Sequence, residues 1–157
     1  MHRRYTLLYI YVVVLIAFIL SACHRRTVFS YYGHPSSVAW EKNAPVAFST
    51  NTLKDDGMYV EDVGVCINSD YPFKSLTLII EQTRYPAYEI WSDTLNCELI
   101  DDAGYATGQG VSQFQYVFPL KKVQLHQGDS LAIAIRHDMK RELLPGVVNI
   151  GLWLNKE

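Results

Sequence analysis

Apolar and polar residues alternate with a period of two along most of this chain. Val63, Val65 and Ile67 alternate with Asp62, Gly64 and Cys66, and Leu76, Leu78 and Ile80 with Thr77, Ile79 and Glu81. Leu95, Cys97 and Leu99 form a third row, Phe114, Tyr116 and Phe118 a fourth, Leu131, Ile133 and Ile135 a fifth. Val148, Ile150, Leu152 and Leu154 close the series. Successive side chains of a strand point to opposite faces, so each row predicts a strand with one buried side. Turn formers separate the rows: Asp55-Asp56-Gly57, Asp70-Tyr71-Pro72, Tyr85-Pro86, Asp101-Asp102-Ala103-Gly104, Gly108-Gln109-Gly110, Gln127-Gly128-Asp129 and Leu144-Pro145-Gly146. Asp bonds its own backbone, Gly supplies positive φ and Pro presets the bend. No segment of helical length carries a helical stripe after the first two dozen residues; Asp138–Leu143 has room for one helical turn. The pattern predicts an all-β domain over 46–157, an antiparallel β-sandwich of about seven to eight strands, jelly-roll-like in its turn spacing.

The N-terminus reads differently. Arg3 and Arg4 precede an unbroken apolar run, Leu7 to Leu20, which ends in Leu20-Ser21-Ala22-Cys23. A charged start, a short apolar stretch and small residues before a cut describe an export signal. The ending resembles the lipobox of bacterial lipoproteins, which implies cleavage after Ala22 and a diacylglyceryl group on the Cys23 thiol. The competing reading is a retained membrane helix, since Tyr5–Ala22 reaches the low edge of the length that crosses about 30 Å of hydrocarbon. A plain span does not require Leu-Ser-Ala-Cys at its end, so 1–22 is expected to be a signal peptide. Residues 23–45 then form the lipidated N-terminus and a tether, with Val38-Ala39-Trp40 as its first contact with the core.

Charge and cysteine usage narrow the partners. Without Arg3 and Arg4, the 14 Lys and Arg fall to twelve against 16 Asp and Glu, a net charge of −4 for the mature chain. That balance has no basic surplus to neutralise phosphates, so nucleic acid is not an expected partner. His24-Arg25-Arg26 beside the lipidated Cys is either a solvated tether or a contact with anionic headgroups, each basic residue adding about 1 kcal/mol. With Cys23 taken by lipid, Cys66 and Cys97 remain as an even pair in an exported chain. They form either a disulfide or two buried thiols, because Cys is also among the most buried residues.

Catalytic chemistry finds little footing. The chain has no Gly-x-Ser-x-Gly elbow, no His-Glu-x-x-His, no P-loop and no glycine-rich dinucleotide turn. His34, His126 and His137 lie far apart and read as surface or strand-end residues. The acidic turns at Asp55-Asp56 and Asp101-Asp102 lack the ligand spacing of a calcium loop and fit hairpin connections. No catalytic residue, metal or cofactor is expected beyond the covalent lipid. Arg84, Tyr85, Tyr88 and Trp91 flank the Pro86 turn and form the candidate interaction surface, the rival being that Tyr85 and Trp91 plug the end of the core. Pro86 removes a donor and fixes φ, so this segment is expected to leave the ladder or lie on an edge.

These residues also carry a family likeness. Arg84-Tyr85-Pro86-Ala87-Tyr88-Glu89-Ile90-Trp91, Asp93-Thr94-Leu95, Gly104 and the Gly108-Gln109-Gly110 turn resemble the gliding-motility lipoprotein GldH family of Bacteroidetes. So do His137-Asp138-Met139-Lys140 and Leu144-Pro145-Gly146-Val147, followed by Val148-Asn149-Ile150-Gly151-Leu152. The resemblance implies a non-catalytic lipoprotein of the cell envelope, accessory to the gliding apparatus and its associated secretion machinery, with other envelope proteins as partners. His24, Arg25 and Arg26, in place of acidic residues after the lipidated Cys, point to a periplasm-facing domain. The alternative from another class is a carbohydrate- or peptidoglycan-binding sandwich, which exposed aromatic rings on a concave face would favour.

Overall fold

The alternating rows become two facing sheets. The computed structural model describes residues 26–35 and 38–157; the expected signal peptide, 1–22, and Cys23 lie outside the described residues. The strands are β1 (Arg26–Gly33), β2 (Trp40–Glu41), β3 (Val46–Ser49), β4 (Gly57–Asn68) and β5 (Ser75–Tyr85). They continue as β6 (Glu89–Glu98), β7 (Gln113–Leu125), β8 (Ser130–His137), β9 (Leu143–Leu144) and β10 (Val147–Lys156). One sheet runs β1-β10-β4-β7 and the other β3-β8-β5-β6, while β2 and β9 form a two-stranded ribbon. All pairs are antiparallel. Successive long strands alternate between the sheets except at the β5–β6 hairpin, which is the jelly-roll arrangement.

The rows legible in the chain face each other across the sandwich. Val63, Val65, Ile67, Leu76, Leu78, Ile80, Leu131, Ile133, Ile135, Ile150, Leu152 and Leu154 are each 3% exposed or less and belong to one cluster. Burying a side chain of this size contributes roughly 1.5–3 kcal/mol. Strand β4 departs from simple alternation, being buried on both faces for much of its length. Its outer face is covered by Trp153 of β10, whose six-membered ring lies where a Cβ on Gly64 would stand, and Tyr32 packs edge-on against that indole at 5.2 Å.

Two expectations are corrected. Residues 24–45 are not a tether throughout: Arg26–Gly33 is an edge strand paired with β10 from Arg26↔Lys156 to Gly33↔Ile150, and Trp40 is wholly buried. The domain therefore begins at Arg26, three residues after Cys23. Asp138–Leu143 makes no helical turn; it is irregular until β9, and within it the Met139 carbonyl accepts from Lys42 Nζ at 2.9 Å.

Strand directions sort the connections into two ends. Where the chain enters at Arg26 lie the 50–56 loop, the Pro86–Tyr88 turn, the 126–129 loop and the end of β10. The 69–74 and 99–112 loops lie at the far end, with Gly33. Gly146 belongs to the far end as well, and its φ of 81° lets the chain pass Tyr71 where a Cβ would stand 2.2 Å from the Tyr71 nitrogen.

Candidate functional site

The Tyr-Pro turn divides its four candidate residues between surface and interior. Tyr85 ends β5, Glu89 opens β6, and Pro86-Ala87-Tyr88 form the turn between them on the edge strand of their sheet. Tyr88 takes a φ of 56°, the left-handed region that costs a side-chain-bearing residue about 1–2 kcal/mol. Its ring is 66% exposed and meets the 40% exposed Tyr85 edge to face at 5.6 Å. Arg84 does not join that surface. Its guanidinium is largely buried, 2.7 Å from Glu89 and 3.8 Å from Asp129, and donates to the Gln124 carbonyl at 3.4 Å. Trp91 also turns inward, packed against the core. The structure thus corrects the four-residue surface to Tyr85 and Tyr88.

Trp91 belongs instead to a polar group inside the sandwich, at the edge where β6 faces β7. A bulge builds it. Glu61 pairs with Lys121 and Asp62 with Pro119, so Leu120 has no partner and the inward phase of β7 switches. Phe114, Tyr116 and Phe118 point inward before the bulge, Lys121, Val123 and Leu125 after it. Pro119, lacking an N–H, is accommodated because β7 is an edge strand. Lys121 then meets Asp93 of the opposite sheet at 2.6 Å and lies 4.8 Å from the centre of the Trp91 ring. Behind it, Gln82 Nε2 donates to Glu61 Oε2 at 2.9 Å, both residues being buried. Glu61 Oε1, Gln82 Oε1, Arg84 Nε and Trp91 Nε1 have no hydrogen-bond partner among the described residues. Burial raises the Glu61 pKa, against the opposing pull of Gln82 and Lys121.

Glu61, Gln82 and Trp91 escaped notice as a group, yet each extends an apolar row by parity: Val63-Val65-Ile67, Leu76-Leu78-Ile80 and Leu95-Cys97-Leu99. Parity was the available signal. Lys121 had none, since only the bulge turns it inward.

The remaining candidates have structural employment. Cys66 and Cys97 are free and buried, which corrects the disulfide alternative. Cys97 sits in the core on β6, its thiol pushed up to about 12 by burial, while Cys66 lies on the outer-facing parity of β4 near Gln113. His137, wholly buried at the end of β8, bonds the Trp40 carbonyl at 3.1 Å and packs against the Trp40 ring. Burial holds its pKa below the usual histidine value. Asp56 accepts from the Gln127 N–H and Asp101 from the Tyr105 N–H at 2.9 Å, so both acidic turns close loops. Among the described residues no three His, Cys, Asp or Glu gather as a metal site.

An opening of about 730 Å³ at the far end is lined by Lys74, Glu98, Asp101, Thr107 and Phe118, with Lys74 paired to Asp102 at 3.1 Å. Fold and surface together define a jelly-roll module whose polar chemistry closes its own edges and loops. The chain belongs to the GldH lipoprotein family, whose model matches residues 27–154. It is therefore a member of a membrane-anchored lipoprotein family, and no helix among the described residues is long and apolar enough to cross a membrane. No curated protein sequence matches it. Among solved structures, the globular domain of zebrafish complement 1qA protein is similar at 14% identity and a TM-score of 0.45, over 85% of this chain and 96% of that one. The structure of Eiger TNF from S. frugiperda is similar at 16% identity and a TM-score of 0.35, over 82% and 92%.

Proposed function

We propose that this chain is a non-catalytic envelope lipoprotein, anchored through a diacylglyceryl group on Cys23 and facing the periplasm. In this reading it serves as an accessory component of the gliding-motility and associated secretion machinery and works by contacting other envelope proteins. The observation that carries the proposal is the family match over 27–154, which begins four residues after the Leu-Ser-Ala-Cys ending. The far end, opposite the point of chain entry, supplies the contact surface: Val38, Tyr105 and Val111 are 87%, 72% and 95% exposed there. Large apolar side chains displayed at one end of a domain suit a protein partner. The test is co-purification of a tagged, full-length chain from its own envelope. Tyr105→Ser with Val111→Ser should lose the partner while retaining labelled fatty acid, and Cys23→Ala should lose the fatty acid. A Cys23→Ala chain that still carried lipid and ran at mature size would sink the anchor.

A second reading, carbohydrate binding, has one observation in its favour. Trp153 lies on the outer sheet face above Gly64, with Tyr32 beside it, in the manner of a stacking platform. Titration with peptidoglycan fragments, read by tryptophan fluorescence in wild type and Trp153→Leu, separates the two readings.

A further inference from the structure

We infer that the Tyr85-Pro86-Ala87-Tyr88 turn is a membrane contact, seating the entry end of the sandwich on the bilayer that holds the lipid. The inference rests on the proposed lipidation of Cys23.

Chain length sets the frame. Arg26 stands three positions after Cys23, a reach of about 10 Å at full extension. The start of β1 is therefore held within that distance of the Cys23 backbone, which the proposed thioether joins to the glyceryl group. Strand β1 has eight residues, about 26 Å of rise, so a domain standing on its entry end keeps the far end clear of the headgroups. A short leash alone still permits the sandwich to lie on its side. A second contact at the entry end, displaced from the anchor, fixes the upright pose. The Tyr turn has that position: β1 and β6 are at opposite margins of their sheets, with three strand spacings of about 4.8 Å and one sheet spacing of about 10 Å between them.

The turn has matching chemistry. Tyr85 and Tyr88 each present an apolar ring and a hydroxyl, the combination that settles at headgroup level. Ile90, 67% exposed and paired with Thr83 one step from the turn, extends the apolar surface toward the same end. Most acidic groups at this end are already matched by cations. Asp55 is paired with Lys156, Glu157 with Lys122, and Glu89 and Asp129 with Arg84, while Asp56 accepts from the Gln127 N–H. Among the described residues Arg26 and Lys54, which line one opening, enter no ion pair, and His24 and Arg25 precede Arg26 in the chain. Uncommitted positive charge thus gathers beside the anchor, where anionic headgroups attract it.

The experiment places one fluorophore at each end of the full-length lipidated chain. Ala87→Cys marks the turn and Ala103→Cys the far end, both exposed positions, while the native thiols are buried. A polarity-sensitive thiol label is read in vesicles of phosphatidylethanolamine and phosphatidylglycerol, with and without brominated acyl chains. The expected result is blue-shifted, bromine-quenched emission at 87 and water-like, unquenched emission at 103. Tyr88→Ser, and Tyr85→Ser with Tyr88→Ser, should lose most of the quenching at 87 without lowering the thermal midpoint. Labelled fatty acid on the same samples reads the anchor separately. Lipidated protein with a water-exposed label at 87 overturns this inference and leaves the lipoprotein reading standing. Undiminished quenching in the double Ser variant overturns it as well, the tyrosines then being bystanders. Absence of fatty acid on the wild-type chain overturns both.

Discussion

Lys121 and Asp93 bridge the two sheets at the edge of the sandwich, 2.6 Å apart, although each belongs to an edge strand of a different sheet. Both side chains are roughly a quarter to a third exposed, at 27% and 31%. Such a pair stands between a solvated bridge, which contributes about 0–1 kcal/mol, and a buried one, whose disruption costs 3–5. Lys121→Ala is expected to destabilise the domain by about 1–2 kcal/mol, because it also removes the cation over Trp91 and the positive charge that counters the effect of burial on Glu61. A double-mutant cycle with Asp93→Ala measures the coupling; additive effects would show that the bridge does not hold the edge.

Glu61 should give the domain a stability that declines with rising pH. Its folded pKa lies above the ordinary 4.5, so the folded state binds its proton more tightly than the unfolded chain does. The contribution is complete below pH 4.5 and is lost as pH climbs through the folded value. Glu61→Gln keeps the shape without the charge. Melting temperatures across a pH series should coincide with wild type at the acid end and exceed it above the window. His137 has the opposite sign: its folded pKa is below 6.5, so its contribution is present above pH 6.5 and is lost as pH falls through the folded value. His137→Gln should remove that acid-side loss, and a variant with an unchanged profile would refute the assignment.

Cys66 and Cys97 should both be silent until the domain unfolds. Burial holds the Cys97 thiol near 12 and raises that of Cys66, and only the thiolate is a nucleophile. A thiol reagent at mildly alkaline pH is expected to modify neither in native protein and both in denaturant. Intact mass after alkylation with and without reductant checks the same point, since a bridge would block both sites until reduced.

Tyr88 and Trp40 make a contrasting pair. Tyr88→Ala removes a largely exposed ring and should change stability by less than about 1 kcal/mol. Trp40 is fully buried, donates its indole N–H to the Ala44 carbonyl at 2.8 Å and packs on His137. Trp40→Ala should cost about 3–5 kcal/mol by chemical denaturation. Comparable losses at the two positions would place Tyr88 in the core and end its candidacy as a contact residue.

Period-two alternation made the central strands legible because one face of each is packed and the other is not. It failed at β1, where Val28, Phe29, Tyr31 and Tyr32 do not alternate. The register shifts between Thr27 and Phe29, and an edge strand buries little. It also misplaced Arg84 and Trp91. Proximity in sequence to an exposed turn suggested exposure, whereas Trp91 shares the inward parity of Leu95 and Cys97, and Glu89 and Asp129 hold the Arg84 guanidinium down. The Glu61–Gln82 and Lys121–Asp93 contacts join residues 21 and 28 positions apart through opposite sheets. No local pattern encodes such pairs, and the one that depends on the Leu120 bulge required the register of β7 against β4 to be known.

The pairing of β1 with β10 has a mechanical consequence. A pull on Cys23 enters the fold at Arg26 and runs along the strand axis, while a load borne at the far end draws the rest of the sandwich the opposite way. Strand β1 then slides against β10, and its ladder from Arg26↔Lys156 to Gly33↔Ile150 is stressed all at once. Hydrogen bonds loaded in shear share the force and fail together, unlike a zipper opened from one end. A tug on the proposed Cys23 anchor would therefore meet the resistance of a whole strand, and the first described strand would serve as the tendon of the domain.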